Sequence, residues 1–133
     1  MNTAAVHILL RAVLVASVLF GGNATLAQER ILSFDSEVRI AADGSLDVTE
    51  TIAIRAEGNN IRRGIYRDFP TRYTDRNGLR FVVDFSVVSL QRDGAPEPFF
   101  TERVKNGVQV NFGNDDFLPV PGEFVYTLRY RTA

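Results

Sequence analysis

From Ile31 onward the sequence alternates between apolar and polar residues with a period of two. Leu32, Phe34, Val38 and Ile40 alternate with Ser33, Asp35, Glu37 and Arg39. Leu46, Val48, Ile52 and Ile54 alternate with Asp47, Thr49, Thr51 and Arg55. Successive side chains of a strand point to opposite faces, so this pattern predicts strands with one face dry. Ala42-Asp43-Gly44-Ser45 joins the two runs and supplies a glycine for a hairpin turn. Glu50 falls on the apolar parity and points toward the core. It marks a strand end, a bulge or a residue with a role.

The same period returns further along. Phe81, Val83, Phe85 and Val87 share one parity, and Val88 and Leu90 take the other. That switch predicts a bulge near Val87-Val88 or a strand that crosses between two sheets. Residues 99–104, then Val108, Val110 and Phe112, then Phe124, Tyr126, Leu128 and Tyr130 complete six expected strands, with no helix after residue 27. Turn signals recur roughly every ten residues. The expected fold is all-β, an antiparallel β-sandwich of immunoglobulin-like character.

Residues 1–27 differ. Arg11 precedes an apolar run from Ala12 to Phe20, and Ala24-Thr25-Leu26-Ala27 places small residues before a cut after Ala27. These are the three parts of a secretory signal peptide. The run is too short for a bilayer core, which needs roughly 20 residues. The expected division is a signal peptide over 1–27, with helical tendency, and a β-sandwich domain over 28–133. The second unit is expected to be the front part of something longer, or closed by its last strand. Export to the periplasm or another extracytoplasmic compartment follows.

Removing the leader takes Arg11, one of 15 basic residues, and none of the 16 acidic ones, so the remainder carries a net charge of −2. It also takes His7, the single histidine, and the chain has no cysteine. Ser-His-Asp and Cys-His machinery and the usual zinc sites are thereby excluded. Bulk charge disfavours nucleic acid. No enzyme, cofactor or metal is expected. A carboxylate-dependent hydrolase acting on envelope glycans is the alternative, because paired acids suffice for that chemistry.

Residues 57–78 have no clean period, and long aperiodic segments in compact domains are often functional. Within 62–76 stand five arginines (62, 63, 67, 72, 76) against Asp68 and Asp75, interleaved with Ile65, Tyr66, Phe69 and Tyr73. Guanidinium forks suit carboxylates and phosphates. Arg62, Arg63, Tyr66, Arg67 and Asp68 are the candidate binding residues. Candidate partners are an envelope protein, anionic lipid or a cell-wall polymer. A bland reading has Ile65, Tyr66 and Phe69 plugging one end of the sandwich while Arg67 pairs with Asp68. Asn114-Asp115-Asp116 reads as a turn with Asx hydrogen bonds rather than a calcium loop.

Four segments carry a resemblance: Glu29-Arg30-Ile31-Leu32-Ser33-Phe34, Asp43-Gly44-Ser45-Leu46-Asp47-Val48-Thr49-Glu50, Arg63-Gly64-Ile65-Tyr66-Arg67-Asp68-Phe69-Pro70 and Tyr126-Thr127-Leu128-Arg129-Tyr130. In order and spacing the chain resembles domain-of-unknown-function family 2207, predicted bacterial membrane proteins. The third segment is the most specific. The resemblance implies an export signal, an extracytoplasmic β-rich domain, and then transmembrane segments and a Gly-rich end. Membrane association would come through segments after Ala133. No activity and no catalytic residue transfers with it.

Overall fold

The computed structural model describes residues 27–133; the expected signal peptide lies, but for its last residue, outside the described residues. Ten strands follow in order: β1 (Arg30–Ile40), β2 (Leu46–Ala56), β3 (Tyr66–Pro70), β4 (Arg72–Thr74), β5 (Arg80–Val82), β6 (Phe85–Arg92), β7 (Ala95–Pro96), β8 (Phe99–Val104), β9 (Gly107–Phe112) and β10 (Gly122–Thr132). Every pairing is antiparallel. A five-stranded sheet runs β1-β2-β10-β6-β7, a three-stranded sheet runs β3-β9-β8, and β4 and β5 form a separate ribbon. No helix occurs among the described residues.

The all-β expectation holds, with more strands than the six anticipated. The extra ones come from the aperiodic segment, which contains β3 and β4, from the division of residues 79–90 into β5 and β6, and from the two-residue β7. Short strands leave too few alternations to show a period. The parity switch at Val87-Val88 is a bulge, the first of its two expected causes: Arg129 pairs with Ser89 and Tyr130 with Val87, so Val88 falls out of register. The passage from the ribbon to the large sheet comes earlier, between Val82 and Phe85.

The core lies between the two larger sheets. β2 alternates without a break, burying Val48, Glu50, Ile52, Ile54 and Ala56. β10 contributes Phe124, Tyr126 and Leu128, β9 contributes Val110 and Phe112, and β3 contributes Phe69. Phe69 stacks on Phe85 at 4.5 Å between ring centroids and tilts against Tyr130 at 4.8 Å. Phe112 meets Tyr126 edge to face at 5.2 Å. These contacts join the sheets through aromatic pairs, each worth about 1 kcal/mol beyond burial.

β1 departs from the half-buried strand that its alternation predicts: all eleven of its residues are exposed. It pairs with β2 from Arg30↔Arg55 to Ile40↔Leu46, with an irregularity between Ile31 and Ser33. The large sheet is five strands wide and its cover three. β1 is an end strand of the wider sheet, and its inward side chains find no opposing layer.

Candidate functional site

The uncovered strand borders a groove. Phe34 of β1 stands opposite Ile52 of β2, and Val38 opposite Val48. The β2 partners are buried by the second sheet, whereas Phe34 is 46% exposed and Val38 52%. Between β1 and the start of β3 lies a cleft of about 470 Å³ lined by Ile31, Phe34, Ile54, Ile61, Ile65 and Tyr66. Its wall is apolar. Its long margin is a strand of eleven residues that, among the described residues, is hydrogen-bonded on one side only. An edge of this kind presents unpaired N–H and C=O groups to any extended segment laid beside it.

Two devices hold the groove open. The first lies at its inner end. Arg67 of β3 reaches into the large sheet and forks onto Glu50 of β2, with Nε donating to Oε2 at 2.9 Å and Nη2 to Oε1 at 2.7 Å. Tyr130 of β10 donates its hydroxyl to the same Oε1 at 3.3 Å. Phe34 and Phe69 flank the guanidinium at 5.1 and 5.0 Å. The Glu50 side chain is 4% exposed and that of Arg67 33%. The hydrogen bonds to Glu50 raise the Arg67 pKa above its ordinary value. Burial, then the charge of Glu50, pushes the Tyr130 phenol up to about 12. The pair explains why an acid occupies the apolar parity of β2, and it fixes the spacing of the two sheets. A bidentate, flanked pair is rigid and directional.

The second device lies at the mouth. The Glu29 carboxylate accepts four backbone N–H bonds from the turn after β2: Glu57 at 3.0 Å, Asn59 at 2.9 Å, Asn60 at 2.7 Å and Ile61 at 3.2 Å. Desolvation acts to raise its pKa, and the four bonds outweigh it and bring it down to about 2. Ile61, a wall residue, is thereby tied to the start of β1.

The sequence between these devices has a local logic. Gly64 has φ of 155° and lies so close to β9 that a Cβ there would run into the Phe112 carbonyl oxygen. That close approach lets the Ile65 carbonyl accept the Phe112 N–H at 2.9 Å, which starts the second sheet. β3 then alternates, with Tyr66 and Asp68 outward and Arg67 and Phe69 inward.

The five residues expected to bind do not form one patch. Tyr66 is 62% exposed and lines the groove. Arg67 turns inward to Glu50, not to Asp68 as the bland reading supposed. Asp68 accepts from Gln109 Nε2 at 2.8 Å on the outer face of the second sheet. Arg62 donates to the Asn59 carbonyl at 2.9 Å. Arg63 lies over the exposed Phe117 ring at 4.8 Å and 3.7 Å from Asp115. The Asn114 turn is closed by its own Asx bond, Asp116 N–H to Oδ1 at 2.8 Å. The role of Glu29 has no sequence signal, because its four partners are backbone groups. Glu50 did have one in its inward parity. A smaller polar cleft of about 180 Å³ involves Glu37, Arg39, Asp47 and Arg129. Glu37 pairs with Arg39 and Asp47 with Arg131 at the surface.

Residues 30–133 match the family described as Predicted membrane protein (DUF2207), N-terminal domain. The chain belongs to that family. It is 29% identical over 127 residues to the uncharacterized protein YciQ of Escherichia coli (strain K12), an alignment covering 93% of this chain and 20% of the relative. The chain thus spans about a fifth of that relative's length. No solved structure matches it. Among the described residues no helix is long and apolar enough to cross a membrane.

Proposed function

We propose that this domain is an extracytoplasmic, non-enzymatic interaction module of a membrane-associated protein of the bacterial envelope, and that it works by accepting an extended strand along β1. The observation that carries the reading is the eleven-residue edge with exposed apolar side chains above an apolar groove. The partner would add its backbone to the sheet and set alternate apolar side chains into the groove beside Phe34, Ile65 and Tyr66. The leader expected over 1–27 supports the compartment, and the family description supports the membrane. The hydrolase alternative gains no support from Glu50, whose two oxygens are held by Arg67 and Tyr130.

The chain has no cysteine, so single cysteines report cleanly. Phe34→Cys and Val38→Cys, with Asn106→Cys in an exposed turn as control, can be treated with a membrane-impermeant maleimide. All three should label in the purified protein. In intact cells the control should label and positions 34 and 38 should be shielded at least tenfold. Equal labelling of all three in cells would refute strand acceptance. No labelling of the control in cells would refute export.

A further inference from the structure

The β4–β5 ribbon takes no part in either larger sheet, and its composition is unusual for a free hairpin. Leu79 is 66% exposed, Val82 69%, Phe81 48% and Tyr73 43%. Tyr73 and Phe81 are cross-strand partners stacked at 5.5 Å, and Tyr73 is held by a bond from its hydroxyl to the Pro70 carbonyl at 2.9 Å. The side chains are therefore ordered and outside the core. Among them stand Arg72, Arg76 and Arg80, against the single acid Asp75. The Asp75 carboxylate is turned back onto the backbone, accepting the N–H groups of Asn77 and Leu79 at 2.8 Å each. By the register, Tyr73 and Phe81 lie on one face of the ribbon and Arg72, Arg80 and Val82 on the other, in a chain whose net charge is −1.

A thin hairpin with an exposed aromatic face backed by arginines matches the headgroup region of a bilayer, where anionic phosphates lie directly above hydrocarbon and long cationic side chains reach up to them. A soluble protein surface would suit the apolar face but would not need the arginines behind it. We infer that the β4–β5 ribbon is a bilayer-contacting element that rests on anionic phospholipid, with Leu79 at the acyl boundary and Arg72, Arg76 and Arg80 on the phosphates. Membership of a family described as membrane proteins puts such a surface within reach. The inference is independent of strand acceptance at β1, since neither strand of the ribbon pairs with the large sheet.

The chain has no tryptophan, so one introduced indole reports its own surroundings. Leu79→Trp in the whole protein, mixed with vesicles of phosphatidylethanolamine and phosphatidylglycerol (3:1), should show blue-shifted emission and quenching by brominated acyl chains. Phosphatidylcholine vesicles should give little shift. Phe100→Trp, on the exposed β8, is the control for binding through any other segment and should keep its emission. Adding Arg76→Ala and Arg80→Ala to Leu79→Trp should weaken vesicle binding roughly twentyfold, since each arginine near an anionic surface contributes about fivefold. Circular dichroism confirms that each variant folds. An unshifted Leu79→Trp spectrum with the anionic vesicles would overturn the inference and leave the ribbon to a protein partner. An equal shift of Phe100→Trp, or binding indifferent to the two arginines, would also overturn it.

Discussion

A single acid on the apolar parity of β2 organises much of this protein. Glu50 is buried and neutralised by Arg67, and removing either partner leaves the other without compensation. Arg67→Leu should destabilise the protein by about 3 kcal/mol in urea unfolding, somewhat less than for a fully dry pair because the guanidinium is partly wet. The double variant Glu50→Leu/Arg67→Leu should be more stable than either single one, because the stranded charge is gone. Two tyrosines of β10 offer a matched comparison. The Tyr126 hydroxyl is buried with no hydrogen-bond partner among the described residues, and burial pushes its pKa up to about 12. Tyr126→Phe should leave stability unchanged or raise it by up to about 1 kcal/mol, whereas Tyr130→Phe, which loses a bond to Glu50, should lower it by about 1 kcal/mol. Glu29 makes a pH prediction. Its folded pKa of about 2 lies below its ordinary 4.5, so its stabilising effect is complete above pH 4.5 and is lost as pH falls toward 2. Glu29→Gln should lower stability at pH 7 and change it little near pH 2, which flattens that part of an acid titration followed by circular dichroism. The sequence showed Glu50 as an anomaly but could not name its partner, which lies 17 positions away and across two sheets.

At the scale of elements, the most specific sequence segment is explained by packing. Gly64 permits the chain to approach Phe112, and the following residues alternate between the core and the surface. Gly64→Ala should cost at least about 2 kcal/mol and open the groove, because both the backbone conformation and the Phe112 carbonyl resist a side chain. The first hairpin was legible as two antiparallel strands and a turn, since eleven-residue strands repeat the period five times. β3 and β4 were not legible, being five and three residues long, and the three residues of β5 did not stand apart from β6. Periodicity also could not tell that β1 is uncovered. Alternation reports that a strand has an apolar face, and only the width of the opposing sheet decides whether that face is buried. The exposure of Phe34, Val38 and Ile40 is therefore a property of the architecture, visible once five strands are set against three.

The whole molecule is an antiparallel β-sandwich whose larger sheet overhangs its cover, with a cationic, apolar ribbon standing apart from both sheets. Residues 28–133 hold neither cysteine nor histidine, so Ser-His-Asp and Cys-His machinery cannot be built from them. Several acids and arginines are spent on structure: Glu50 with Arg67, Glu29 on the turn, Arg92 with Glu97 at 2.7 Å. What the molecule leaves unspent is an edge. The most direct measurement is amide hydrogen exchange along β1 in the purified protein, resolved residue by residue. In an antiparallel end strand every second N–H points away from its single neighbour. Exchange should therefore alternate from Arg30 to Ile40, slow where the amide meets β2 and fast where it faces outward, while β2 and β10 stay protected throughout. Uniform protection along β1 would mean that the edge is already paired, and would contradict the account.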